Sequence, residues 1–350
     1  MKNQEKAYRV LARQYRPTRF SDLVGQDVMV KTLLQAIADK RLPHALLLHG
    51  TRGVGKTTTA RILAKILNCL RNDAVTQEPC GACDACIAIA DGRFLDVIEM
   101  DAASHTSVDD IREVIESSRY KAVVGRSKVY IIDEVHMLSK SAFNALLKTL
   151  EEPPPHVTFI FATTELRRVP DTILSRCMRF DLRRIEVPTL VSYLQTIAGR
   201  EAINLDEAAA QLIAQAADGS MRDGLSLLDQ AIALADGPIS AETVRSMLGL
   251  ANRGALLGLV QDVLSGSIAG ALTTLAEIFQ QGADPIFITE GLLELVYHLT
   301  CLKTTPQSAQ KLLWSPHELT QAQDICKAIE LPVLMQSWQV LSRGYEEVSR

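Results

Sequence analysis

The sequence predicts an α/β fold class: a parallel-sheet domain with a small cysteine-rich insert, followed by all-helical segments. Strand-like apolar runs at residues 45–48, 97–100, 129–133, 157–162 and 178–181 alternate with helical patterns, as expected when each strand needs a covering helix before its parallel neighbour. Between the first run and a long amphipathic stretch lies a glycine-rich turn, GTRGVGKT, from Gly50 to Thr57. Beyond Pro188 the texture becomes alanine- and leucine-rich at helical spacing, broken at Asp218-Gly219 and Asp236-Gly237-Pro238, and no run there reads as a strand. A further break near Asn252-Arg253-Gly254 separates a smaller helical part from a larger one. The expected division is 1–182, 183–246 and 247–350.

Taken in order, each boundary has a local cause. Residues 45–48 feed the glycine turn, and Glu151-Glu152-Pro153-Pro154-Pro155 ends the helix before the 157–162 strand, because successive prolines remove donors and exclude helical geometry. With 350 residues, 47% hydrophobic and 22% charged, the chain has material for about two or three globular domains. A net charge of −4 and a pI near 6.0 exclude a polycation that coats nucleic acid, so any DNA contact must be local. Residues 1–17 lack the unbroken apolar core of a signal peptide, and no stretch approaches the length of a membrane span. The expectation is a cytoplasmic, reducing location without membrane partners. No capping or stop signal follows Tyr345, which is compatible with a longer parent chain.

The glycine turn has the G-x-x-x-x-G-K-T pattern in a strand-loop-helix context, which reads as a phosphate-binding loop. Gly50, Gly53 and Gly55 let successive N–H groups and the positive end of the next helix converge on phosphate oxygens. Lys56 would reach the β- and γ-phosphates of ATP and the Thr57 hydroxyl would ligate Mg²⁺; Val54 and Thr58 complete the residues expected against the nucleotide. Downstream, Val129-Tyr130-Ile131-Ile132-Asp133-Glu134 ends a presumed strand in two carboxylates. Asp133 can hold Mg²⁺ through water, while Glu134 can orient and polarise the attacking water.

The run Asp133-Glu134-Val135-His136-Met137-Leu138, with Asn144-Ala145-Leu146-Leu147-Lys148-Thr149-Leu150-Glu151-Glu152-Pro153-Pro154 after it, resembles the AAA+ subunits of replicative clamp loaders. Phe161-Ala162-Thr163-Thr164-Glu165, Leu174-Ser175-Arg176-Cys177 and Gly219-Ser220-Met221-Arg222-Asp223 are similar to that family's sensor-1, Ser-Arg-Cys and sensor-2 motifs. The resemblance implies an AAA+ core, a helical lid and a helical collar, working with related subunits, a sliding clamp and primer-template DNA. It implies that Thr164, with Thr163 as second candidate, contacts the γ-phosphate or the attacking water. Arg176 would serve the neighbouring subunit's site, a role worth about 10³ to 10⁵ in rate, and Arg222 would reach from the lid to the phosphates. The segment from Leu11 to Gln26 is similar to the box that closes over adenine, with Tyr15-Arg16-Pro17 and Val24-Gly25-Gln26 forming an apolar slot and Arg13 approaching the phosphates. Without the resemblance the same segment reads as a basic arm that could bind DNA.

Four of the seven cysteines fall as Cys69, Cys80, Cys83 and Cys86, a C-x₁₀-C-x₂-C-x₂-C pattern with Gly81 allowing a tight turn. The spacing suits one structural Zn²⁺ held by four thiolates. An iron–sulfur cluster is the other metal reading and disulfides are disfavoured by the compartment. A zinc module (69–86) after the phosphate-loop helix makes the chain most similar, within the family, to γ/τ-type subunits of bacterial DNA polymerase III. Cys177, Cys301 and Cys326 read as packing residues. His44, His49, His136 and His156 have no metal-ligand spacing and read as core or surface residues.

Residues 101–108 precede a helix and offer hydroxyls and backbone N–H groups, either to a DNA phosphate, as the resemblance implies, or as a simple helix cap. His105 and Ser107 stand where family members carry basic residues, which weakens a charge-based contact. The function expected is an ATP-hydrolysing motor subunit of the clamp loader, part of the polymerase III holoenzyme and without a polymerase site of its own. A non-hydrolysing ATP-binding scaffold is the alternative. A zinc-bearing nucleic-acid adaptor is disfavoured by the acidic balance and by an aromatic content of 5%.

Overall fold

The computed structural model describes residues 10–71, 74–104, 106–235, 237–248, 253–280, 282–305 and 316–349. The chain divides into two compact units, Met1–Ile203 with Ile213–Gln230, and Asn204–Leu212 with Ala231–Arg350. In the first, α1 (Leu11–Gln14) and α2 (Asp27–Ala38) lead into β1 (Ala45–His49), and α3 (Lys56–Asn68) and α4 (Asp84–Ala90) follow before β2 (Val97–Asp101). Then come α5 (Val108–Ser118), β3 (Lys128–Asp133), α6 (Lys140–Glu151), β4 (Val157–Thr163), α7 (Asp171–Leu174), β5 (Met178–Asp181) and α8 (Val187–Arg200). The unit boundaries cut through α9 (Glu207–Ala216) and α10 (Met221–Leu234). The second unit holds α11 (Ala241–Met247), α12 (Arg253–Ser265), α13 (Ile268–Gln280), α14 (Pro285–Thr304), α15 (Pro316–Ala328) and α16 (Leu331–Val348).

All five expected strands form, in the order β2-β3-β4-β1-β5, and every pairing is parallel. Residues 45–48 of β1 are wholly buried because helices cover both faces: Leu46 and Leu48 pack in the cluster with α3, and Ala45 and Leu47 in the cluster with α5 and α6. A strand buried on both sides reads as an unbroken apolar run, which is why it stood out in the sequence. Parallel strands present their carboxyl ends along one edge. Gly50, Asp133 and Thr163 therefore meet there, although β4 lies between β1 and β3 in space and follows both in sequence.

The turn before β3 is pinned from inside. Asp96, with no exposed surface, accepts the N–H groups of Val123, Val124 and Gly125 at 2.8, 2.7 and 2.7 Å. Burial by itself would raise the Asp96 carboxyl, but the N–H groups of Gly125, Val123 and Val124 outweigh it and hold it below the usual carboxylate range. At the far end of α6 the helix stops at Glu151, with Glu152 as its cap before the prolines, as expected.

Past β5 the only strand-like pairing among the described residues is an isolated bridge between Leu205 and Ile239. One expectation needs correcting. In α14 the sequence does contain a stretch, a helix of 20 residues with an 18-residue window of mean hydropathy 1.3, long and apolar enough to cross a membrane by length and composition. Its apolarity has another use: Ile288, Leu295, Val296, Leu299 and Leu302 fill the core of the second unit, in contact with α12, α15 and α16. Its polar groups are tied within that unit, Glu290 accepting from the Tyr345 hydroxyl at 2.7 Å and Lys303 Nζ donating to the Cys326 carbonyl at 2.7 Å.

Candidate active site and thiolate cluster

The turn leaving β1 curls through left-handed glycines, Gly53 at φ +76° and Gly55 at φ +108°, and delivers the chain into the N-terminus of α3. Gly53 is also a point of close approach: a Cβ there would lie 1.9 Å from Ser220 Oγ. The Arg222 N–H, in the first turn of α10, donates to the Gly53 carbonyl at 3.4 Å. The start of α10 is thus seated on the loop.

Lys56 is 5% exposed, and its ammonium donates to the Gly50 and Thr51 carbonyls at 2.9 and 3.0 Å. Burial lowers its affinity for the proton, opposed by the charges of Glu134 and Asp133. Thr57 Oγ1 donates to Asp133 Oδ2 at 2.6 Å, and Asp133 Oδ1 accepts the Glu134 N–H at 3.0 Å. Glu134 has φ +46°, an unfavourable backbone for a residue with a Cβ, and its Oε2 accepts from the Thr164 hydroxyl at 3.0 Å. The strand edge therefore joins Thr57 to Asp133 and Glu134 to Thr164.

A cavity of about 610 Å³ opens on this edge, within the usual size for a small-ligand site. Arg13, Tyr15 and Val24 line it together with Gly53, Val54, Gly55, Lys56, Thr57, Thr58, Asp133, Glu134 and Arg222. Gly50, its N–H bonded to the Thr163 carbonyl at 3.3 Å, does not line the cavity, and Thr164 bonds to Glu134 without lining it either. Arg176 lies apart, its guanidinium donating to the Thr172 carbonyl at 2.7 Å and to Glu151. Asp218, just before α10, pairs with Arg184.

Other side chains take roles that sequence reasoning missed. Arg16, read as part of an apolar slot, brings charge: its Nε donates to Thr58 Oγ1 at 3.1 Å, and burial and then Arg61 lower its pKa. Gln26 points away from the cavity and clamps the Arg183 backbone, donating to its carbonyl at 2.8 Å and accepting its N–H at 3.1 Å. The Tyr15 hydroxyl donates to Glu201, which raises its pKa. His136, read as core or surface, has a side chain only 6% exposed, beside Glu134. Its place three residues after Asp133 was the one available signal.

The four clustered cysteines converge as their spacing predicts, all sulfurs within 4.8 Å of one another. Cys80 and Cys86 are 4.0 Å apart, close to the edge of about 3.8 Å for a tetrahedron with 2.3 Å zinc–sulfur bonds. Gly81, at φ +73°, turns the chain so that the Ala82 and Cys83 N–H groups donate to Cys80 Sγ at 3.5 and 3.3 Å, and they bring that thiol down to about 6. Burial pushes Cys86 up. The set fits a closed thiolate centre with no position for a water ligand.

The sequence family described as DNA polymerase III, delta subunit matches residues 25–186. DNA polymerase III clamp loader subunit, ATPase lid domain, matches 189–237, and DNA polymerase III subunits gamma and tau domain III matches 239–350. The DNA polymerase III subunit gamma of Buchnera aphidicola from Acyrthosiphon pisum is 40% identical over 341 residues, 97% of this chain and 94% of that protein. The chain belongs to the gamma/tau family of DNA polymerase III subunits. The tau subunit of Escherichia coli K12 is 45% identical over 300 residues, 86% of this chain, yet the match spans only 46% of that longer protein. The chain spans about half the length of the tau relatives it matches first. In fold it is similar to the Thermotoga maritima RuvB Holliday junction branch migration motor, with a TM-score of 0.50 at 20% identity over 70% of this chain and 79% of that one. That likeness shows the AAA+ fold.

In this gamma/tau chain the turn before α5 is a helix cap. Ser107 Oγ accepts the Asp110 N–H at 3.2 Å while Asp110 Oδ2 accepts the Ser107 N–H at 3.3 Å, a reciprocal capping box. Asp101 Oδ1 accepts the Ala103 N–H at 2.9 Å. His105 lies outside the described residues.

Proposed function

We propose that this chain is an ATP-hydrolysing motor subunit of the bacterial replicative clamp loader, loading a sliding clamp onto primed DNA with other clamp-loader subunits. The observation that carries this reading is the pair of contacts on one strand edge, Thr57 to Asp133 and Glu134 to Thr164, facing a cavity lined by the phosphate loop. Thr57 and Asp133 would hold Mg²⁺, which when bound neutralises phosphate charge. Lys56 exchanges loop carbonyls for β- and γ-phosphate oxygens. Glu134 accepts the attacking water's hydrogen and Thr164 steadies that carboxylate and the water. Tyr15 and Val24 receive the base, Arg13 approaches the phosphates, and Arg222 brings charge to them from the lid helix.

Arg176 is assigned to the neighbouring subunit's nucleotide, and in support of that assignment it does not line this chain's cavity and pairs with Glu151. Zinc is assigned a structural role at Cys69, Cys80, Cys83 and Cys86, with the tetrahedral fit of the sulfurs in support. We assign 1–182 as the nucleotide domain, 183–246 as lid and 247–350 as collar, in keeping with the lid match at 189–237 and the domain III match at 239–350. The non-hydrolysing scaffold reading is less well supported, because a subunit without hydrolysis has no use for the Glu134–Thr164 contact.

The test is ATP hydrolysis by the chain assembled with its partner subunits, with and without sliding clamp and primed DNA. Strong stimulation by the two together is the expected result. Turnover indifferent to both would sink the clamp-loading reading.

A further inference from the structure

We infer that His136 is a positioning residue for ATP hydrolysis, fixing the Glu134 carboxylate; the inference rests on the hydrolytic reading above. The ring is nearly buried, yet its neighbours are polar. Its Nδ1 lies 3.0 Å from Thr163 Oγ1 and 3.5 Å from Glu134 Oε2, and its Nε2 lies 3.5 Å from Glu165 Oε1. Thr163 is itself fixed, since its Oγ1 accepts the Glu165 N–H at 3.1 Å and its residue has no exposed surface. The imidazole thus bridges the segment after β3, which carries the hydrolytic carboxylate, to the segment after β4.

The arrangement distinguishes the two oxygens of Glu134. Oε2 is held by the Thr164 hydroxyl and flanked by the imidazole, whereas Oε1 has no protein partner among the described residues. A carboxylate held through one oxygen leaves the other aimed at water. Such help is needed because Glu134 sits in the left-handed region, a backbone that persists only when its surroundings enforce it. His136 touches neither nucleotide nor water in this scheme and acts through Glu134.

The experiment compares His136→Ala, His136→Asn and His136→Gln in the assembled complex, with sliding clamp and primed DNA, measuring turnover and the affinity for a fluorescent ATP analogue. Removing the ring should lower turnover about tenfold or more, as misplacement of a reacting group does, with nucleotide affinity within about twofold. His136→Asn keeps a polar atom near the Nδ1 position and should restore most of the rate. His136→Gln, polar only towards Glu165, should stay slow, and this pair decides the matter even if the alanine variant does not fold. Added to Glu134→Gln, His136→Ala should cost nothing further, because the two act as one unit. Wild-type turnover in His136→Ala, equal rescue by glutamine and asparagine, or an additive loss on the Glu134→Gln background would each overturn the inference. If Glu134→Gln stops turnover and His136→Ala does not, this inference alone fails; if Glu134→Gln keeps turning over, the hydrolytic reading fails first.

Discussion

Thr57 Oγ1 and Asp133 Oδ2 lie 2.6 Å apart, a contact between the first turn of α3 and the end of β3 across 76 residues of sequence. The two oxygens are close enough to share one cation. Thr57→Ala should raise the Mg²⁺ concentration needed for half-maximal turnover by at least about tenfold, the scale on which altered metal shells act. A Mg²⁺ titration of ATP hydrolysis reads it, and an unchanged midpoint would remove Thr57 from the metal site.

Glu134→Gln keeps the shape and the Thr164 contact but loses the charge that activates water. Nucleotide affinity should stay within about twofold while turnover falls by about 10² to 10⁴. Equilibrium binding and single-turnover hydrolysis separate the two effects; hydrolysis near the wild-type rate would refute the role.

Arg176 pairs with Glu151, and both side chains are substantially exposed, so the pair adds only about 0–1 kcal/mol to stability. Arg176→Ala should therefore fold and bind ATP normally, yet lower the rate at a neighbouring site by about 10³ to 10⁵. Mixing it with a Lys56→Ala chain should give rescue in one direction only. Full activity of assembled Arg176→Ala would end the in-trans assignment.

Asp96 gives a pH prediction. Its folded carboxyl titrates below the unfolded value, so its contribution to stability is complete above about pH 4, where the unfolded group is ionised, and is lost as pH falls through the lower folded value. Asp96→Asn should be less stable at neutral pH by about 1–3 kcal/mol, since it leaves buried N–H groups poorly paired, and should show a flatter acid limb. Thermal melts from pH 2 to 7 provide the check.

The cysteine cluster predicts one zinc per chain. Because thiolate zinc contributes on the order of 10 kcal/mol to local folding, chelation should make residues 69–86 the first site of limited proteolysis. Nucleotide affinity should persist at that stage. Absence of bound metal in protein purified under reducing conditions would remove the zinc reading.

The strands, the phosphate loop, the acidic pair and the cysteine framework were legible because each is a local pattern. Residues 45–48 are apolar throughout because both faces of β1 are buried, and Gly53 and Gly55 occupy left-handed backbone that other residues avoid. Partners across the chain were not legible, since no local signal marks a contact between distant segments. Arg16 looked like part of an apolar slot until its Nε met Thr58, and Gln26 turned from the cavity to the Arg183 backbone. His136 read only as a core or surface residue.

By itself the sequence determined which residues could bind phosphate and metal, because loop geometry and ligand spacing are written in consecutive residues. Only the tertiary structure decided how they combine. A parallel sheet with β4 between β1 and β3 brings Thr164 to Glu134 and Thr163 to His136, and leaves Arg176 facing elsewhere. The physical reason is that strand order is set by the burial of whole faces, a property of the folded chain that no single segment carries.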